Sequence, residues 1–196
     1  MMTTTRFTAT TTILAGALLT TIAVSAHTPA STPSPAASTV SIARGEYLVT
    51  TSGCHDCHTP WIMGARGPEP DMTRALTGHP ADFVMPPAPK LPPGPWISMG
   101  SATNTAFAGP WGTSFAANLT PDKATGTGEW TADQFIATLR TGRHLGKGRP
   151  ILPPMPAAVY AKMADDDLRS IFAYLQSLKP VSNKVPQPIE PGEGGQ

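Results

Sequence analysis

The sequence predicts a mainly α-helical domain interrupted by one long loop region. Apolar residues recur at helical spacing in three separate segments. Between the first and second of these, 11 prolines crowd the 51 residues from Pro60 to Pro110. Composition agrees: the 196 residues include 23 Pro and 18 Gly but only 14% charged side chains, which limits regular structure.

The first predicted helix covers residues 41 to 52, with Ile42, Ala43, Tyr47 and Leu48 near one face. The second opens at Thr131, where Thr131 and Gln134 fit a capping box. Phe135, Ile136 and Leu139 supply its apolar stripe, and Gly142 is a natural stop. The third is the clearest. Asp165, Asp166 and Asp167 crowd its start, where the helix dipole favours negative charge. Leu168, Ile171, Phe172, Leu175 and Leu178 then repeat on one face until Pro180 ends it.

The proline-rich stretch cannot continue any helix, because proline lacks the N–H donor and clashes with the preceding turn. Loops, polyproline-like segments and turns are expected there, and a loop region this long is unusual unless it wraps something. A Pro/Gly-rich insertion over about 60–128 is therefore expected inside a domain of residues 41–180.

Both ends read differently. Arg6 precedes a twelve-residue apolar run from Ile13 to Val24, and Val24-Ser25-Ala26 supplies a small-residue cleavage pattern. Residues 1–26 are expected to be an export signal, since twelve apolar residues fall short of the roughly 20 that span a membrane. Residues 27–40, rich in Pro, Ser and Thr, read as a flexible leader. Residues 181–196 read as a disordered tail. Cleavage removes Arg6 from the 14 basic side chains and none of the 13 acidic ones. The balanced charge that remains gives no sign of nucleic acid or an anionic membrane as partner.

The chemistry sits in Cys54-His55-Asp56-Cys57-His58, the Cys-x-x-Cys-His pattern of covalent haem attachment. Two cysteines three positions apart lie on one side of a helical turn. Both sulfurs can then reach the two vinyl groups on one porphyrin edge, while His58 points its imidazole at the iron. These are the only two cysteines in the chain. A thiol-disulfide oxidoreductase would place the pair in a strand-helix-strand context, which is missing. A structural zinc site would recruit a second pair of ligands; His79 and His144 do not form a ligand-spaced cluster. One covalent haem c is the expected cofactor, and His55 is expected to be a solvent-side linker.

Haem iron in cytochromes c commonly carries Met opposite His. Met63, Met72, Met85, Met99 and Met155 are candidates. Met155 stands in Leu152-Pro153-Pro154-Met155-Pro156, where the prolines on both sides stiffen an extended strut and reduce the entropy lost on ligation. Met155 is the expected sixth ligand, with Met85 and Met99 as alternatives.

With these residues in view, the sequence resembles a class I c-type cytochrome. It is most similar to the haem domains of cytochrome subunits that serve periplasmic dehydrogenases. The resemblance runs through Gly45-Glu46-Tyr47-Leu48, the haem motif, Asn118-Leu119-Thr120-Pro121-Asp122 and Thr125 to Trp130. It continues through Leu139 to Arg143, Leu152 to Pro156 and the last helix, covering about residues 41 to 180. It implies a cytochrome c-like small helical domain around one haem, thioethers at Cys54 and Cys57, and axial ligation by His58 and Met155. It also implies that Gly45 and Tyr47 face the C-terminal helix. The sequence departs from such subunits in carrying one haem motif and no anchoring end, and in the 96 residues between His58 and Met155.

The expected function is electron transfer in a bacterial periplasm, from a dehydrogenase donor to an oxidase or cytochrome acceptor, with no catalytic residues of its own. Two other readings stay open. One is a haem subunit of a dehydrogenase complex, with Trp61, Trp96, Trp111 and Trp130 at an interface or walling the haem. The other is a five-coordinate haem enzyme or sensor using His79 or His144 as acid-base groups. Arg140, Arg143, Lys147 and Arg149, with His144, are expected to steer an acidic partner, pair with haem propionates, or form a solvated loop. Asn118-Leu119-Thr120 also matches a glycosylation acceptor.

Overall fold

A computed structural model describes residues 39–91 and 93–191. The expected signal at 1–26 and most of the leader at 27–40 lie outside them. Among the described residues no helix is long and apolar enough to cross a membrane.

Five α-helices among the described residues carry the frame: α1 (Ile42–Thr51), α2 (Cys54–His58), α3 (Ala132–Thr141), α4 (Ala157–Tyr160) and α5 (Asp165–Ser177). The three predicted helices appear, α1 and α3 with the predicted ends, whereas α5 stops at Ser177 and leaves Leu178 as an extended cap. Thr131 and Gln134 complete the capping box of α3, and Gly142 closes it with a left-handed φ of 64°. At α1 the Ser41 side chain accepts from the Arg44 N–H.

The core forms where α1, α3 and α5 meet. Leu48 and Val49, Phe135, Ile136 and Leu139, and Leu168, Ile171, Phe172 and Leu175 are buried together, with Leu76 supplied by the proline-rich stretch. The Phe135 and Phe172 rings lie 5.5 Å apart. Ion pairs at 2.9 Å tie α5 to its neighbours, Arg44 with Asp167 and Arg169 with Asp133.

The buried face of α1 differs from the predicted one. Gly45, Leu48 and Val49 are buried, whereas Ile42 and Tyr47 are about half exposed (51% and 57%). Tyr47 carries the Arg44 guanidinium over its ring at 5.6 Å. The reason is Gly45, which lets the α5 backbone approach so closely that the contact runs through the glycine.

Helices are a minority of the described residues, and the proline-rich stretch is not plain loop. Two small antiparallel sheets replace it in part. β1 (Trp61–Gly64) pairs with β2 (Gly67–Pro70), and β3 (Met99–Gly100), β4 (Ala106–Gly109) and β5 (Gly112–Phe115) form a three-stranded sheet in that order. Pro68 and Pro70 sit in an edge strand, where the missing N–H costs no ladder bond. One long-range backbone bond binds this region to α2, Gly78 N–H donating to His58 O at 2.8 Å, and another closes the region on itself, Leu119 N–H donating to Leu76 O at 2.9 Å. Short strands are hard to predict here because two to four residues give too little alternation to recognise.

Disorder is not what the first part of the tail shows. Residues 181–191 form a strap pinned at Val181, Asn183 and Ile189. The Asn183 amide donates to Thr77 O (2.7 Å) and His79 O (2.9 Å) and accepts from Ala81 N–H (2.9 Å). Further on, Ile189 and Thr113 exchange both backbone bonds at 2.8 and 2.9 Å. A polar, proline-rich segment can be ordered when its few donors all find partners, which composition alone does not reveal. Asn183→Ala is expected to accelerate amide hydrogen exchange at Ala81 and Ile189 by about tenfold, in keeping with the loss of buried hydrogen bonds. Amides inside α5 should keep their protection.

Candidate functional site

The site grows out of the junction between α1 and α2. Gly53 takes a left-handed φ of 73°, turning the chain sharply so that α2 projects Cys54, Cys57 and His58 to one side. They open onto a cavity of about 550 Å³ that Met155 also lines. That volume lies within the range of about 300–1,000 Å³ usual for ligand and cofactor pockets. Its walls are largely apolar, with Val49, Phe115, Trp130, Leu139, Ile171 and Leu175 contributing.

The His58 ring is held by one nitrogen. Nδ1 lies 2.8 Å from Ala117 O; a carbonyl only accepts, so Nδ1 carries the proton and Nε2 keeps its lone pair. Donation to a backbone carbonyl is how ligating imidazoles are usually oriented. Burial, opposed by the Ala117 carbonyl, holds His58 below the ordinary histidine range and so keeps it neutral. Gly78 makes the support possible. Its φ is 76°, and a Cβ there would stand 2.5 Å from Ala116 O and from the Ala117 carbonyl carbon.

Both cysteines are free and half-buried. Burial pushes the Cys54 thiol up to about 11 and the Cys57 thiol upward as well. Reactive redox thiols show the opposite shift, toward the thiolate. Among the described residues no group of three or more His, Cys, Asp or Glu side chains is placed to hold a metal ion, so the zinc reading gains no support. Neutral thiols facing an apolar cavity suit addition of S–H across a vinyl group.

Met155 is half-buried against the core. Neither Met85 nor Met99 lines the cavity; Met99 lies in β3, and Met63 and Met72 are exposed.

Other predicted groups separate. His79 is fully buried away from the cavity, with Nδ1 2.9 Å from Thr105 Oγ1 and Nε2 2.9 Å from Phe83 O. Both ring nitrogens are spent, so His79 has no free acid-base function. His144 lines the cavity and meets Trp130 edge-on at 5.1 Å. Arg140 is committed to Asp165, Ala161 O and Met163 O, while Arg149 lines the cavity. The basic group thus divides: Arg140 staples α3 to the start of α5, Arg143 donates to Gly148 O, and Arg149 lines the cavity. His55 Nδ1 bonds Thr59 Oγ1 at 3.0 Å. Asn118 is buried, its amide donating to Thr125 Oγ1 and Val181 O and accepting from Thr120, which leaves no nitrogen for a glycan.

Three contributions escape sequence reading. Ala117 acts through a carbonyl that any residue has. Tyr160 lines the cavity and donates to Ser52 O at 2.6 Å; burial first, then the charges of Cys54, Cys57 and Asp56, push its hydroxyl up to about 12. Lys184 to Pro188 of the strap form a wall, although their composition suggests a free tail.

The class of protein that such a site fits is a c-type cytochrome. No protein-family model matches the chain, but curated relatives do. It is 30% identical over 161 residues to the fructose dehydrogenase cytochrome subunit of Gluconobacter japonicus, covering 82% of this chain and 25% of that protein. It is 30% identical over 148 residues to the alcohol dehydrogenase (quinone), cytochrome c subunit of Gluconobacter oxydans, covering 74% and 23%. The gluconate 2-dehydrogenase cytochrome c subunit of Pantoea cypripedii matches at 28% over 154 residues, covering 76% and 27%. The chain spans about a quarter of the length of these relatives. It resembles the haem domains of the cytochrome c subunits of such dehydrogenases.

Proposed function

We propose that this protein is a periplasmic electron-transfer protein with a single haem c bonded through Cys54 and Cys57, its iron held between His58 and Met155. The observation that carries this reading is that all four side chains line one cavity. The haem supplies reversible one-electron exchange between Fe(III) and Fe(II). The chain's own residues do the rest. Ala117 fixes the His58 tautomer, and the apolar walls exclude water and thereby tune the potential. The prolines around Met155 restrict the thioether to the approach it needs. Arg149 and His144 place positive or hydrogen-bonding groups at the mouth, suited to carboxylates of the cofactor or of a partner.

With His58 and Met155 both holding the iron, no site would remain there for a substrate, and the chain would act as an electron carrier rather than as a catalytic subunit. A dehydrogenase is the donor and an oxidase or another cytochrome the acceptor. Membership of a dehydrogenase complex is a second reading, favoured by Val84, Trp96 and Ile97, exposed at 83%, 77% and 67% along the proline-rich stretch.

The test is direct. Exported protein should be red, retain its haem through acid-acetone extraction, and exceed the mass of the bare polypeptide by one haem. Its ferric spectrum should show the weak charge-transfer band of thioether ligation. A colourless product of bare polypeptide mass overturns the proposal; a high-spin ferric spectrum with rapid carbon monoxide binding when reduced supports the open-iron reading instead.

A further inference from the structure

Met155 sits between two hydrogen bonds that cross from its own segment to distant parts of the chain. On one side, Ser114 in β5 donates from Oγ to Pro153 O at 2.6 Å, across 39 residues. On the other, Tyr160 at the end of α4 donates from its hydroxyl to Ser52 O at 2.6 Å, across 108 residues. Ser52 caps α1, where carbonyls lack helical partners, and lies two residues before Cys54. Between these bridges the arm has little slack: Ala157 N–H donates to Met155 O at 3.0 Å and Val159 N–H to Pro156 O at 2.8 Å.

One bridge therefore ties the arm to the sheet, and the other ties it to the segment that bears the cysteines. We propose that Ser114 and Tyr160 are positioning residues that clamp the Met155 arm over the cavity and set how often it opens to admit an outside ligand. The inference rests on Met155 as an iron ligand. It goes further in assigning the arm's opening rate to two side chains other than the iron ligands.

The experiment uses the full-length ferric holoprotein mixed rapidly with imidazole. At saturating imidazole the displacement rate reaches a plateau equal to the opening rate of the arm. Tyr160→Phe keeps the ring and removes the donor; Ser114→Ala does the same on the other side. Each should raise the plateau about fivefold, the factor carried by one net hydrogen bond, and the pair about 25-fold if the bridges act independently. Ser177→Ala, which removes a hydroxyl-to-carbonyl bond within α5, should leave it unchanged. A plateau within twofold of the parent in both single variants overturns the clamp, even where thermal stability falls, as does an equal rise in Ser177→Ala. A parent protein without the ferric thioether band instead removes the ligand assignment, and the clamp with it.

Discussion

Met155→Ala should abolish the ferric thioether band and lower the reduction potential on the order of 0.1 V or more, within the roughly 0.8 V range that axial ligands command. A soft, uncharged thioether favours Fe(II), so its loss stabilises Fe(III) and the potential falls. The covalent attachment at Cys54 and Cys57 should survive, so the protein stays red while its spectrum turns high-spin or gains water as a ligand. The measurements are the ferric visible spectrum and a redox titration. Unchanged spectra would transfer the ligand role to another methionine, although Met85 and Met99 do not line the cavity.

Gly45→Ala should cripple folding without touching the site chemistry. A Cβ at this position would stand 1.9 Å from Ser170 O and 2.7 Å from the Tyr174 Cβ. Backbone cannot swing aside as a flexible side chain can, so α1 and α5 must separate. Overpacking of this kind costs about 3 kcal/mol, which lowers the melting temperature by roughly 10 °C in a domain of this size. Thermal unfolding followed by circular dichroism measures it. A loss under about 1 kcal/mol would mean that the helices slide apart easily and that the glycine is not the basis of their contact.

What could be read in advance divides along physical lines. The helices of the core declared themselves through caps and stripes, which are local properties of the chain: Thr131 with Gln134, three aspartates at 165–167, Leu168 to Leu175. The Cys54–His58 pentapeptide is equally local, and the structure puts Met155, singled out by the prolines beside it, in the same cavity. The face of α1 was legible only in part: the resemblance pointed to Gly45, which does lie against α5, but also to Tyr47, which is half exposed. Ala117 and Ser52 serve through backbone carbonyls, which have no signature in a sequence. The hydrogen bonds of Asn183 reach back more than 100 residues, so nothing near it announces them.

The strap has a consequence for how solvent reaches the cavity. Residues 184–188 wall it without a helix or strand of their own, held only by the anchors at Asn183 and Ile189. Such a stretch opens at far lower free energy than the core beneath it. Wetting of the interior is then governed by a small local fluctuation of residues 184–188, separately from global unfolding. Changes near the carboxyl end can alter the polarity felt deep inside while the three packed helices stay as they are.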